Sequence, residues 1–162
     1  MIAEFTVNVM LDVAISATPA DPIGVKLATN AAPTTPSIDI SAYVTSAVIN
    51  KVVDELEITA MGDTAHKYVA GLENSTFTID FNNEWANAQV MQTLNEAFGK
   101  TLAVSVITVK GTAVSAANPT YQFSILVNNL TPLGQGGVAE IATSSMTFTV
   151  NSVVTVSPSV AF

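Results

Sequence analysis

STFTIDFNNEWANAQVMQTLNEAFGK, residues Ser75–Lys100, holds two periods in succession. In its first seven residues Phe77, Ile79 and Phe81 alternate with Thr76, Thr78 and Asp80, the period-two pattern of a half-buried strand. Trp85, Ala88, Met91, Leu94 and Phe98 then recur at three- and four-residue steps, one apolar stripe of a helix. Asn82 or Asn83 is placed to cap that helix, because the Asn side-chain oxygen accepts from an unpaired first-turn N–H. Glu84 suits the positive end of the helix dipole, and Gly99 suits the left-handed position after the last turn. The stretch predicts a strand followed by a helix over about 84–98.

The other readable segments are strands. Phe5, Val7, Val9 and Leu11 alternate with Glu4, Thr6, Asn8 and Met10 within residues 2–16. Residues 38–60 carry β-formers (Tyr43, Val44, Val48, Ile49, Val52, Val53), and then Leu56 and Ile58 alternate with Glu55, Glu57 and Thr59. Further strands are expected over 101–109 and 121–127. Residues 143–156 predict a final strand or pair with Met146, Phe148 and Val150 inward. Residues 17–37 hold four prolines and predict a long loop or arm, with at most a short strand near Val25–Leu27. AMGDTAHKYVAGLEN, residues 60–74, keeps no period and predicts an excursion with a helical turn near Thr64–Val69. Residues 130–138, with GQGG at 134–137, predict a turn-rich loop. Many antiparallel strands and one amphipathic helix make a mainly β protein. The expected fold is an antiparallel β-sandwich or open barrel with one flanking helix, in a single domain over 1–162.

Composition narrows function. Only 11% of residues are charged against 49% hydrophobic, so the core is ample but the surface is thinly charged. Two explanations are open: copies of the chain cover one another, or the chain is a Ser/Thr/Asn-rich surface domain. Five lysines, no arginine and a net charge of −8 exclude tight nucleic-acid binding. The absence of cysteine excludes disulfides and thiol chemistry. The N-terminal residues have no basic region and are interrupted by Glu4 and Asp12, so a signal peptide is not expected. No apolar run is long enough to span a membrane, so a soluble chain is expected.

Chemistry finds no foothold. His66 lies near Asp63 and Lys67, but it is the sole histidine, and nothing is spaced as a metal site. Asp54, Glu55 and Glu57 lack the spread and the central Gly of a calcium loop. GQGG is followed by neither Lys-Ser/Thr nor a helix pattern, so it is not a phosphate loop. No Ser occupies a nucleophile elbow. No catalysis and no cofactor are expected. Yet seven of the thirteen carboxylates fall between Asp54 and Glu84, so the middle of the chain is charged where the rest is not.

Residues Asp39–Trp85 resemble the tail tube (major tail) proteins of bacteriophages with long non-contractile tails. The resemblance rests on Ile40-Ser41, on Asp54-Glu55-Leu56-Glu57-Ile58-Thr59-Ala60-Met61-Gly62-Asp63, and on Gly71-Leu72-Glu73-Asn74-Ser75. Residues 113–148, with Asn118-Pro119 and Pro132-Leu133-Gly134, look like the family's second half. Together these cover about two thirds of the chain; the Pro-rich stretch within residues 1–37 departs from the pattern.

The resemblance implies a structural virion protein made in the host bacterial cytoplasm. Six subunits would close into rings, and the rings would stack into a tube through which viral DNA passes without specific binding. The implied partners are other copies of the chain and the tape-measure, tail-terminator and tail-tip proteins; no membrane is implied. Residues 60–74 would reach a neighbouring subunit. Interface candidates are Asp54, Glu55, Met61, Gly62, Asp63, His66, Lys67, Tyr68, Val69 and Leu72. The charges would set register, and Met61, Tyr68, Val69 and Leu72 would supply contact area. Asp80, on the polar face of its strand, is the candidate for the channel wall. The competing expectations are a head-decoration or head–tail joining protein and, from another class, a carbohydrate-binding β-sandwich module.

Overall fold

The computed structural model describes residues 23–29, 31–83, 89–133 and 141–162. The expected strand over 2–16, Glu84, Trp85, Ala88 and the GQGG turn lie outside the described residues. Among the described residues ten strands and one helix follow in chain order. They are β1 (Gly24–Ala28), β2 (Pro36–Asp39), β3 (Val44–Asn50), β4 (Val53–Glu57), β5 (Tyr68–Glu73), β6 (Thr76–Asn82), α1 (Val90–Glu96), β7 (Thr101–Ile107), β8 (Thr120–Leu126), β9 (Thr143–Val150) and β10 (Thr155–Ser157).

Eight strands form one antiparallel sheet in the order β2-β1-β7-β8-β9-β6-β3, with β10 also paired to β8. One edge of β8 is shared. Thr120–Gln122 pair with β10, and Ile125 and Leu126 pair with β9. Between these, Ser124 N–H donates to Ser152 Oγ (2.8 Å) and its carbonyl accepts from Asn151 N–H (2.7 Å). The β9–β10 segment therefore bends away along β8 and carries β6 and β3 with it.

The sheet rolls over on itself. Strands β3 and β7 stand four places apart in the ladder, roughly 19 Å on a flat sheet at about 4.8 Å per step. Yet Ala47 and Ile49 of β3 line one cleft with Val106 of β7. Phe77 on β6 meets Phe123 on β8 edge-on, with ring centroids 5.1 Å apart, although β9 lies between their strands. The architecture is an antiparallel β-sandwich with one helix, and among the described strands β2 and β3 stand at the two ends of the ladder. Pro36 begins edge strand β2, where a missing N–H costs no ladder bond.

The core follows the alternation. Phe77, Ile79 and Phe81 of β6 and Met146, Phe148 and Val150 of β9 are buried with Val25, Leu27, Leu102, Val104, Phe123 and Ile125. Val90, Met91 and Leu94 of the helix and Ala97 at its C-terminal cap join the same core. The helix is shorter than the span 84–98 that its periodicity predicts. Gln89 is extended (φ −103°, ψ 179°), so the first helical residue is Val90. Asn82 is no cap: it continues β6 opposite Thr143, and Asn83 N–H donates to the Ala142 carbonyl at 2.8 Å. Phe98 falls beyond the helix and is exposed rather than on the buried stripe. Gly99 does take the left-handed conformation (φ +79°) and ends the helix as expected. Of the Pro-rich stretch, Gly24–Ala28 and Pro36–Asp39 are built into the sheet.

Candidate functional site: a projecting β-hairpin

The chain between β3 and β6 leaves the sandwich and returns to it. Their ladder ends at Asn50 opposite Thr76. It resumes when Asn74 N–H donates to the Val52 carbonyl (2.7 Å) and Val53 pairs with Glu73. From there β4 and β5 form a separate two-stranded sheet. All ten interface candidates lie on this one hairpin. Asp54 and Glu55 are on β4, and Tyr68, Val69 and Leu72 are on β5. Met61, Gly62, Asp63, His66 and Lys67 are in the connecting loop. The helical turn expected near Thr64–Val69 does not form. Residues 64–67 are bends and coil, and the strand begins at Tyr68. The loop stays non-helical because its polar side chains hold its backbone N–H groups in other geometry.

The sandwich covers neither face of the hairpin. Every residue of β4 is exposed, as are Tyr68, Val69, Ala70 and Leu72 of β5. Opposed residues share a face. Leu56 opposes Val69, and Ile58 follows Leu56 by two residues, so one face is apolar. Glu55 opposes Ala70 and Glu57 opposes Tyr68, so the other is acidic. The register slips between Val53 and Glu55, and Gly71 sits in the slip. A Cβ there would come within 3.0 Å of the Asp54 carbonyl oxygen, a close approach that glycine permits.

A two-stranded ribbon is marginal in water without support, and here side chains supply it at both ends. At the tip, Asp63 Oδ2 accepts from Ala60 N–H (2.8 Å), and the Ala60 carbonyl accepts from Asp63 N–H (2.9 Å). Lys67 Nζ pairs with Asp63 Oδ1, and Lys67 N–H donates to Thr59 Oγ1 (2.9 Å). Thr59 Oγ1 donates to Glu57 Oε1 (2.8 Å), which also meets His66 Nδ1 at 2.6 Å. At the base, Glu73 Oε1 accepts from Ser75 Oγ (2.8 Å) and from Val154 N–H (3.1 Å). Lys51 Nζ donates to the Val154 carbonyl (3.2 Å). The base is thus tied to the β9–β10 bend. Met61 is left at the extreme tip at 108% relative exposure, and Leu72 is 82% exposed.

These contacts set the acid response of the arm. The His66 and Thr59 hydrogen bonds hold Glu57 below the usual carboxylate range. The Lys67 bond and the Ala60 N–H do the same for Asp63, and the Ser75 and Val154 bonds do so for Glu73. Asp39, on β2, is also lowered: burial pushes it up, but Lys110 and two bonds from Ser41 outweigh it. A depressed carboxylate contributes stability that is complete above its unfolded pKa of about 4 and is lost as pH falls through its folded pKa. The hairpin tip is therefore expected to loosen on acidification below about pH 4. Amide chemical shifts of Ala60 and Lys67 should move to unfolded values with midpoints below those of model carboxylates. Midpoints at the model values would contradict the contacts.

Asp80 lies elsewhere, on the outer face of β6 between Ser46 of β3 and Ser145 of β9. Around it that face carries Thr76, Thr78, Thr147 and Thr149, with Thr78 and Thr147 hydroxyls 2.8 Å apart, and the exposed Val48 opposite Thr78. Among the described residues Asp80 Oδ1 is buried without a hydrogen-bond partner.

Chemically, the hairpin offers contact area and fixed charge. Among the described residues no three His, Asp or Glu side chains gather to hold a metal ion. No helix there is long and apolar enough to cross a membrane. Sequence reasoning passed over Val53 and Glu73. An apolar–acidic alternation does not reveal that both faces of a strand are bare, and the role of Glu73 depends on a backbone N–H 81 residues away. Comparison with protein-family models and with curated proteins returned no match for this chain.

Proposed function

We propose that this chain is a structural virion protein, the subunit of a phage tail tube, whose hexameric rings stack around a channel for DNA. The observation that carries the reading is the hairpin, an internally stitched arm that leaves the sandwich and exposes Leu56, Ile58, Met61, Tyr68, Val69 and Leu72. Apolar area of this kind on a thinly charged chain is a docking element for another copy. Among the described strands β3 ends the ladder, which supports the same reading, because pairing between copies would satisfy the backbone groups of such an edge.

The outer face of β3, β6 and β9 is hydroxyl-rich, and Asp80 is its described carboxylate. Such a wall lets a polyanion pass without holding it. In the proposed tube that face would line the channel, and the tape-measure, terminator and tip proteins would be further partners.

Negative-stain electron microscopy of the purified protein at high concentration, with and without a nucleating tail tip, tests the proposal. Hollow tubes or stacked rings are expected. Compact trimers, or particles that decorate heads, would replace it with the head-decoration reading.

A further inference from the structure

On β9 the outward residues Thr143, Ser145, Thr147 and Thr149 are exposed, but on β7 they are not. Val104 and Val106 point into the core, so Ser105 and Ile107 point out. Yet Ser105 is 3% and Ile107 1% exposed. Ile107 opposes Gly24 on β1 and Thr120 on β8, and Thr120 opposes Ser157 on β10. The four make one outward row across four strands, in which Gly24 and Thr120 are also buried. Residues 158–162 turn back and lie over this row. The Ser157 hydroxyl accepts from Ser159 N–H (3.3 Å) and Val160 N–H (3.1 Å) and sets the turn. The Val160 carbonyl then accepts from Thr120 Oγ1 (3.0 Å). Phe162 lands on β1. A Cβ at Gly24 would stand 2.6 Å from its ring and 2.5 Å from Ile107 Cγ2, so the seat exists because residue 24 is glycine. Lys26 Nζ lies 4.5 Å from the ring centroid.

We infer that residues 158–162 are a strap, and that Phe162 is the latch by which it clasps β1, with β2 beyond it, to the rest of the sheet. Among the described strands β1 and β2 lie outside β7 at one end of the ladder. The strap leaves β10, which is paired to β8, and ends on β1, so it bridges β7 from one neighbour to the other. Its hold is small. Pro158, Ser159, Val160 and Ala161 are exposed. The Phe162 ring, the Thr120 bond and the Lys26 ammonium over the ring carry the attachment. A segment held by so few contacts opens in a local event, not with the whole fold. Opening bares Gly24 and Ile107, and β1 with β2 becomes the first part of the sheet to loosen.

Native-state amide hydrogen exchange on the full chain, parent against Phe162→Ala, tests the latch. Exchange of the β1 amides, Val25–Ala28, is expected to rise about tenfold, the effect of giving up the partial burial of one aromatic ring. The amides of β6 and β9 should keep their parent rates. Gly24→Ala is the second variant: its Cβ takes the room of the ring, so β1 should loosen in the same way with Phe162 still present. Amides of β1 that keep the parent rates in either variant would overturn the latch. A uniform rise through β1, β6 and β9 would overturn it too, because Phe162 would then be ordinary packing of one cooperative unit. The tube reading does not depend on any of these results.

Discussion

Phe77→Ala is expected to lower stability by roughly 3–5 kcal/mol, the usual range for deleting a buried aromatic side chain. Phe77 is fully buried on β6, between Ile49 of β3 and Phe148 of β9 in the ladder, and its ring meets Phe123 edge-on at 5.1 Å. The substitution removes the contact that spans the rolled sheet and leaves a cavity that strands tied on both sides cannot close. A fall in melting temperature on the order of 10 °C should accompany it. Thermal unfolding followed by circular dichroism measures this. A loss below about 1 kcal/mol would mean that the two halves of the sheet do not share one core.

Leu56→Ala combined with Val69→Ala is expected to do the reverse: little to stability and much to assembly. Both side chains are exposed in the single subunit, and substitutions at such positions usually stay within about 0.5 kcal/mol. If the apolar face of the hairpin is an anchor, each truncation removes about 2 kcal/mol of contact. Together they would raise the concentration needed for assembly about a thousandfold. Sedimentation of the variant against the parent chain, with the melting curve as control, separates the two effects. Unaltered assembly would show that another surface holds the copies together.

Strands β6 and β9 were legible because each has one buried and one more exposed face. Phe77, Ile79 and Phe81, and likewise Met146, Phe148 and Val150, announce that difference every second residue. The start of the helix was not legible. The Asn82-Asn83 pair carries a capping signal, but Asn82 N–H donates to the Tyr43 carbonyl on the β3 side and Asn83 N–H to the Ala142 carbonyl on the β9 side, and tertiary pairing overrides the local preference. The hairpin was legible as a charged, aperiodic stretch but not as strands. Gly71 and the register slip break the alternation of β5. The Asp63 to Lys67 spacing, which imitates one helical turn, closes a loop instead. The cleft lined by Ala47, Ile49 and Val106 was invisible to sequence, because it joins strands that lie far apart along the chain and come together only when the sheet rolls.

The proposed assembly depends on another copy covering β4 and β5. Hydrogen exchange, read by mass spectrometry on the free subunit and on the assembled particle, tests it directly. Peptides within residues 53–73 are expected to gain the largest protection on assembly, while the buried strand cores of β6 and β9 change little. Assembled particles whose residues 53–73 exchange as fast as in the free subunit would contradict it.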